Sequence, residues 1–308
     1  MGVIFMGSAD FSIPILKALS EGEEVLAVVT QPDRPRGRGQ RLGPTPVKQW
    51  ANCNGIPVLE PQLLDGHFIE EVRGFGPEAI VVAAYGRMLP PELLRLPPLG
   101  CINVHPSLLP KYRGAAPVNW AIIRGESETG VTTFLMDEGM DSGPILLQRR
   151  VQIGEGETAS ELLGRLAELG AELLLETLKR WRRGEIEPRP QREEEATFAP
   201  KLRKEDGLID WKREAREINN LIRGVQPWPG AYTFLKGKHL KVHRAKVGSG
   251  RGEPGEVISL KDGIEVACGK GSLLLEEVQL EGRRRVRWEE FLRGYPLSTG
   301  ERLTEGGG

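Results

Sequence analysis

Cysteine is scarce in this chain, with three residues in 308, at positions 53, 101 and 268, far apart and without a C-x-x-C pair. That argues against a disulfide framework and against a cysteine-built zinc site. Histidine is scarce too, and His67, His239 and His243 lie in segments unrelated to His105, so a histidine-bound metal is also disfavoured. No apolar run approaches the ~18–20 residues of a membrane span. Met1 leads straight into the strand-like Gly2-Val3-Ile4-Phe5-Met6 with no basic region ahead of it. No secretory signal is evident, and a soluble cytoplasmic protein is the expectation. The turn Gly7-Ser8-Ala9-Asp10 carries one glycine where a dinucleotide fingerprint needs three, and no Walker pattern occurs. NAD and ATP are therefore disfavoured. Nor does one sign of charge dominate, with 42 basic against 43 acidic residues. The balance is uneven along the chain, however. Lys201–Gly308 holds 21 Lys and Arg against 16 Asp and Glu, a net of +5, and leaves −6 for the rest. Such a split favours a polyanionic partner, although it is often no more than surface charge.

What the chain does have is a series of short apolar runs separated by helical periodicity. Residues 3–6, Val25–Val29, Ala79–Ala84 and Ile102–Val104 read as buried strands, and Asp10–Ser20 as a helix. That alternation predicts a parallel sheet covered on both faces. Val131–Met136 and Ile145–Val151 add two strands. Thr158-Ala159-Ser160-Glu161 reads as a capping box opening a long helix. Between strand two and the next element, Gln31–Lys48 is rich in Gly, Pro and Arg, a composition that predicts no regular element. Beyond a charged, proline-bearing stretch, Trp211–Val225 reads as a helix. Five short β-rich runs (Tyr232–Leu235, Leu240–Val242, Val257–Leu260, Ile264–Ala267 and Leu273–Val278) and a late helix near Trp288–Leu292 fit a small barrel of the oligonucleotide-binding kind. The expected division is a catalytic α/β domain over 1–185, a linker over 186–206 and a barrel over 207–308.

Chemistry concentrates in Ile102-Asn103-Val104-His105-Pro106-Ser107-Leu108-Leu109-Pro110-Lys111-Tyr112-Arg113-Gly114. Two residues apart on a strand, the Asn103 amide and the His105 imidazole leave the same face. An amide donor beside a titratable ring suits a reaction that builds negative charge on a carbonyl oxygen while a proton moves. Met136-Asp137-Glu138-Gly139-Met140-Asp141-Ser142-Gly143 then supplies a carboxylate in a glycine-rich loop, where Gly139 and Gly143 would let the backbone approach a flat ligand closely. Taken alone, His105 reads more often as a core histidine; Asp141 could be only a turn residue, and Asp137 reads better as one. Ser107 beside His105 invites a serine-hydrolase reading, but no G-x-S-x-G elbow is present. The loop cations Arg34, Arg36, Arg38, Arg41 and Lys48, against one acid, suit a phosphate backbone or merely a solvated surface.

The run N-x-H-x-S-L-L-P-x-Y-R-G followed by D-x-G-x-D-x-G resembles the formyltetrahydrofolate-dependent formyltransferases. Gln31-Pro32-Asp33-Arg34-Pro35-Arg36-Gly37-Arg38-Gly39 and Gln226-Pro227-Trp228-Pro229-Gly230 extend the likeness over nearly the whole chain, toward the members that act on initiator tRNA. The resemblance implies an α/β, Rossmann-like parallel-sheet catalytic domain followed by a small OB-like β-barrel. It implies 10-formyltetrahydrofolate as a diffusible donor, with no metal and no NAD. Initiator methionyl-tRNA is the implied acceptor, for a monomer with no membrane partner. Asn103, His105 and Asp141 match the catalytic positions. Tyr85, Gly86, Arg87, Met88, Leu89 and Pro90, with Ser107, Leu108, Leu109, Pro110, Asp137 and Gly139, match the folate-binding ones. Arg34, Arg36, Arg38, Arg41 and Lys48 are the implied tRNA contacts. A sugar-nucleotide N-formyltransferase, a formylfolate hydrolase and a non-catalytic RNA-binding protein stand as alternatives. The first has no need of the arginine-rich loop, in the second water replaces the amine, and the third leaves the trio without a task.

Overall fold

The computed structural model describes residues 2–36 and 41–306. In chain order the first elements are β1 (Gly2–Gly7), α1 (Ser12–Gly22), β2 (Glu24–Val29), β3 (Arg34–Arg36), β4 (Arg41–Gly43), α2 (Pro46–Cys53), β5 (Val58–Leu59), α3 (Gly66–Phe75), β6 (Ala79–Ala83), α4 (Pro91–Leu94), β7 (Cys101–His105), α5 (Pro117–Ile123), β8 (Glu128–Leu135), β9 (Ile145–Gln152) and α6 (Ala159–Arg182). One compact unit comprises residues 1–117, 128–152 and 163–199; the other comprises 118–127, 153–162 and 200–308.

The first unit is built on a seven-stranded sheet of order β5-β2-β1-β6-β7-β8-β9. Its central strands are short and wholly apolar. All six residues of β1 and all five of β6 are buried, as strands covered on both faces must be. Strands β5, β2, β1, β6 and β7 run parallel, as the alternation of strand and helix predicts. The last two differ: β8 is antiparallel to β7, and β9 to β8. No helix intervenes between β8 and β9, so the chain returns directly beside itself. Helix starts are locally encoded. Thr45 caps α2 by accepting from Lys48 N at 3.0 Å, and Asp65 caps α3 by accepting from Phe68 N at 3.2 Å. The capping box is as expected, with Thr158 N donating to Glu161 Oε2 at 2.8 Å and Glu161 N to Thr158 Oγ1 at 3.3 Å.

Two expectations require correction. The Gln31–Lys48 stretch is not devoid of regular structure: β3 and β4 form an antiparallel pair, and α2 begins inside it at Pro46. Three-residue strands are too short to show a period, and proline at the first helical turn is compatible with a helix. The segment expected as a linker is tied down between residues 189 and 199, where Arg189 and Ile145 exchange backbone hydrogen bonds of 2.8 and 2.9 Å and Ala199 N donates to Arg113 O at 2.8 Å.

The second unit contains α7 (Ala215–Gly224), β10 (Ala231–Leu235), β11 (Lys238–Gly248), β12 (Val257–Ser259), β13 (Ile264–Ala267), β14 (Ser272–Leu280), β15 (Val286–Arg287), α8 (Trp288–Gly294) and β16 (Leu303–Thr304). Its sheet follows β12-β13-β14-β11-β10-β16, with β15 beside β14. An antiparallel bridge between Glu256 and Arg302 joins the two ends of that path, so the sheet curls until its edges meet, as the barrel reading requires. Trp211 belongs to this core rather than to α7. Its ring is buried and its indole N–H donates to Thr233 Oγ1 at 3.0 Å. Among the described residues no helix is long and apolar enough to cross a membrane.

A forked ion pair anchors the end of α6. Arg182 Nη1 and Nη2 donate to the two Glu23 oxygens at 2.6 and 2.7 Å, and Nε donates to both Glu78 oxygens at 3.1 Å. All three side chains are mostly buried, at 25%, 14% and 11% exposure. Removing the cation would leave two carboxylates facing each other away from water. Arg182→Met is expected to lower unfolding stability by about 1–3 kcal/mol, below the range for fully buried pairs because the arginine keeps some solvent. Urea denaturation measures this, and an unchanged midpoint would refute it.

Candidate active site

The five parallel strands open their carboxyl ends on one sheet edge, and the order β5-β2-β1-β6-β7 switches direction between β1 and β6. Open α/β sheets form their ligand crevice at such a switch point. The loops there are laced together. Ser8 N donates to Ala84 O at 3.2 Å, Gln31 N to Ser8 Oγ at 3.0 Å, and Gln31 Nε2 to Tyr85 O at 2.6 Å. Gly86 has φ +79°, a conformation that favours glycine, and a Cβ there would press on the end of the Gln31 side chain, 2.9 Å from Nε2.

β7 carries the first two members of the trio. It pairs with β6 on one side and β8 on the other, with Asn103 opposite Phe134 and His105 opposite Thr132. Alternation puts Asn103 and His105 on one face. Val104 faces the other way, against α6, where a Cβ on Gly170 would lie 2.9 Å from Val104 Cγ1. Asn103 is half-buried, and among the described residues its amide has no hydrogen-bond partner. His105 is buried, edge-on to Phe134 with ring centroids 6.5 Å apart. Its Nε2 lies 3.1 Å from Tyr112 O. A carbonyl can only accept, so Nε2 carries a proton and Nδ1 faces the other way. There, Asp141 Oδ2 lies 3.7 Å from Nδ1.

Asp141 is held in the left-handed region at φ +52°, and Gly114 N donates to its Oδ2 at 2.8 Å. The structure thus brings Asn103, His105 and Asp141 together on one sheet edge. The loop glycines are also required by their own surroundings. A Cβ on Gly143 would lie 1.8 Å from Leu135 O, and one on Gly139 would lie 2.1 Å from Ser142 Oγ. The end of β8 fills the space at Gly143, and the loop's own Ser142 fills it at Gly139. Asp137 Oδ1 likewise accepts from Gly139 N at 3.1 Å and Ser142 Oγ at 2.8 Å, an ordinary turn arrangement.

The residues matched to folate binding separate by what their side chains do. Tyr85 is buried in the core, its hydroxyl has no partner among the described residues, and desolvation raises its pKa. Arg87 donates to Pro61 O and Gln62 O, both at 3.0 Å, and Met88 is exposed. Leu89 and Leu109 are buried. Ser107 Oγ donates to Lys111 O at 2.7 Å, and Leu108 packs against Gly130. Of the loop cations, Arg38 lies outside the described residues, as do the side chains of Arg34, Arg36 and Arg41. Lys48 is paired with Asp33 and Glu60, each at 2.8 Å. The hydrogen bonds that its ammonium donates to those carboxylates raise its pKa.

Sequence reasoning overlooked the polar groups that frame the trio. Thr132 Oγ1 donates to Ser107 O at 2.7 Å and accepts from Leu109 N at 3.2 Å and Gln148 Nε2 at 3.0 Å, fixing the turn after His105. Arg113 is buried and forked onto Glu193, at 2.9 and 2.8 Å, and onto Gln191. Its guanidinium holds the Glu193 carboxyl below the usual range. The available signal was the place of Arg113 within the run that carries the catalytic candidates, Ile102 to Gly114.

The sequence model for formyl transferase matches residues 1–178, and that for the formyl transferase C-terminal domain matches 201–296. The chain belongs to the formyl transferase family. It is 55% identical to the methionyl-tRNA formyltransferase of Citrifermentans bemidjiense, over 97% of this chain and 95% of the relative, and 51% identical to that of Geobacter sulfurreducens, over 99% and 97%. Among solved structures it resembles an N-formyltransferase from Helicobacter canadensis (TM-score 0.69, 18% identity, 92% of this chain and 99% of the other). It also resembles HypX from Aquifex aeolicus (TM-score 0.66, 20% identity, 98% of this chain), of which it spans 50%. At those identities the two structures speak for the fold alone.

Since a Cβ on Gly143 meets backbone rather than a flexible side chain, Gly143→Ala is expected to cost about 1–3 kcal/mol of stability. Gly164, in α6 with nothing within 4 Å of where an added methyl would sit, is the control. Gly164→Ala is expected to stabilise by roughly 0.5–1 kcal/mol. Thermal unfolding of both variants checks the pair, and equal effects would contradict the packing argument.

Proposed function

We propose that this enzyme transfers the formyl group of 10-formyltetrahydrofolate to the α-amino group of methionine on initiator tRNA. The observation that carries the reading is the Asn103–His105–Asp141 constellation, in a chain half or more identical to methionyl-tRNA formyltransferases over nearly its full length. A folate donor is in keeping with two structural neighbours, one solved with tetrahydrofolic acid and the other with folinic acid.

In the proposed reaction the neutral amine attacks the formyl carbon and a tetrahedral intermediate forms. The unengaged Asn103 amide donates to the developing oxyanion. With Nε2–H committed to Tyr112 O, Nδ1 is the basic nitrogen of His105. A proton taken there sits beside Asp141 Oδ2, which stabilises the cation and orients the ring. Collapse breaks the bond between the formyl carbon and N10 of the folate. The amine's proton ends on that nitrogen, giving formylmethionyl-tRNA and tetrahydrofolate. Asn103, His105 and Asp141 are the catalytic residues of this reading. The Tyr85–Pro90 loop, the Ser107–Pro110 turn and the Asp137–Gly139 turn border the donor. Arg34, Arg36, Arg38 and Arg41 meet the tRNA backbone, with Lys48 held at the base of their loop by Asp33 and Glu60.

The test is formylmethionine formation from 10-formyltetrahydrofolate and methionyl initiator tRNA, with elongator tRNA as control. Initiator-selective transfer is expected, and folate turnover without formylated tRNA would overturn the acceptor assignment. Arg38→Ala is expected to raise KM for tRNA while leaving donor KM unchanged. An unchanged tRNA KM would remove Arg38 from the interface.

A further inference from the structure

Gln191 lies outside the trio and outside every motif that carries the family resemblance, yet its amide is fully engaged beneath Asp141. Its Nε2 donates to Asp141 O and to Gly143 O, both at 2.8 Å. Its Oε1 accepts from Arg113 Nε at 3.0 Å and Nη2 at 2.9 Å. This orientation is forced, because arginine offers donors only and the two loop carbonyls are acceptors only. A flipped amide would oppose like groups on both sides.

Arg113 is itself immobilised. It is 3% exposed, its remaining donors fork onto Glu193, and its backbone is bonded on both sides, with Arg113 N donating to Thr197 O at 2.9 Å and Ala199 N to Arg113 O at 2.8 Å. The residue after it, Gly114, gives its N–H to Asp141 Oδ2. Asp141 is thus held from two directions by one anchored strip of chain: its carboxylate through Gly114 N, its carbonyl through Arg113 and Gln191. A non-glycine residue at φ +52° is strained and persists only where its surroundings over-determine it. Two hydrogen bonds from Gln191 onto the carbonyls at 141 and 143 supply that determination.

We propose that Gln191, oriented by Arg113, is a positioning residue that holds Asp141 in its left-handed conformation so that Oδ2 faces His105 Nδ1. The inference rests on the reading of Asp141 and His105 as catalytic residues. Gln191 touches no reacting atom in this scheme and acts only through Asp141.

The test uses Gln191→Met, which keeps length but offers neither donor nor acceptor, and Gln191→Glu, which keeps an ionic partner for Arg113 but cannot donate to the two carbonyls. Crystal structures of both variants are expected to show Asp141 out of the left-handed region and Oδ2 moved away from Nδ1. An Asp141 unmoved in both overturns the proposal, whatever the activity. In formyl transfer, kcat is expected to fall about 10- to 100-fold in each variant, with KM for donor and tRNA within about twofold of the parent. Placed in an Asp141→Ala background, Gln191→Met is expected to cost nothing further, because the group it positions is gone. Retained kcat, a rise in KM alone, or a full multiplicative loss in that background would each overturn it. A parent enzyme without formyl transfer, together with variants in which Asp141 has moved, would instead place the error in the proposed reaction and leave the positioning intact.

Discussion

The hydrogen-bonded placement of β7 between a parallel neighbour and an antiparallel one governs the site. Pairing on both edges leaves this strand no freedom to slip, and a slip of one residue would turn Asn103 and His105 onto the helix-covered face. Val104, between them, packs where Gly170 lets α6 approach. One face of the strand is therefore sealed by a helix while the other offers its polar side chains. The antiparallel β8 adds something that a wholly parallel sheet would lack. Thr132, directly opposite His105, bonds the turn that follows, so one cross-strand pair fixes both the His105 backbone and the chain leaving it.

The second requirement is a carboxylate delivered from the loop between β8 and β9. It is met by backbone chemistry more than by side-chain packing. Gly143 closes against Leu135 O, Asp137 ties the opposite side of the loop, and Asp141 takes a backbone conformation that few side chains tolerate. The groups that stabilise this arrangement come from residues 113–114 and 191–199, far apart in sequence. The segment after α6 is accordingly part of the catalytic unit's frame.

How much of this could be read from the chain follows from the range of each interaction. Period-two alternation put Asn103 and His105 on one face because strand geometry is local, and Thr158 with Glu161 marked a helix start for the same reason. The parallel core was legible in β1 and β6 because burial on both faces demands continuous apolar runs. The antiparallel turn to β9 was not, since a strand's direction is set by its connection. Gly143 was visible as a glycine, but only the folded chain shows that Leu135 O fills the space. The Arg113–Gln191 contact bridges residues with no common pattern, and Gln191 lay in a stretch whose charge and prolines read as linker. β3 and β4 are three residues each, with Pro35 in the middle of the first, and carry no period to detect.

Catalysis in this reading turns on the Asn103 amide, half-buried and without a hydrogen-bond partner among the described residues, on a strand fixed on both edges, as the donor to charge that develops only during reaction. The most direct measurement is single-turnover formyl transfer by Asn103→Ala at saturating donor, alongside donor affinity by equilibrium titration. A rate lower by about 10²–10³ with donor binding unchanged is the predicted result, as for loss of one oxyanion donor. An intact rate, or a loss explained wholly by weaker donor binding, would contradict it.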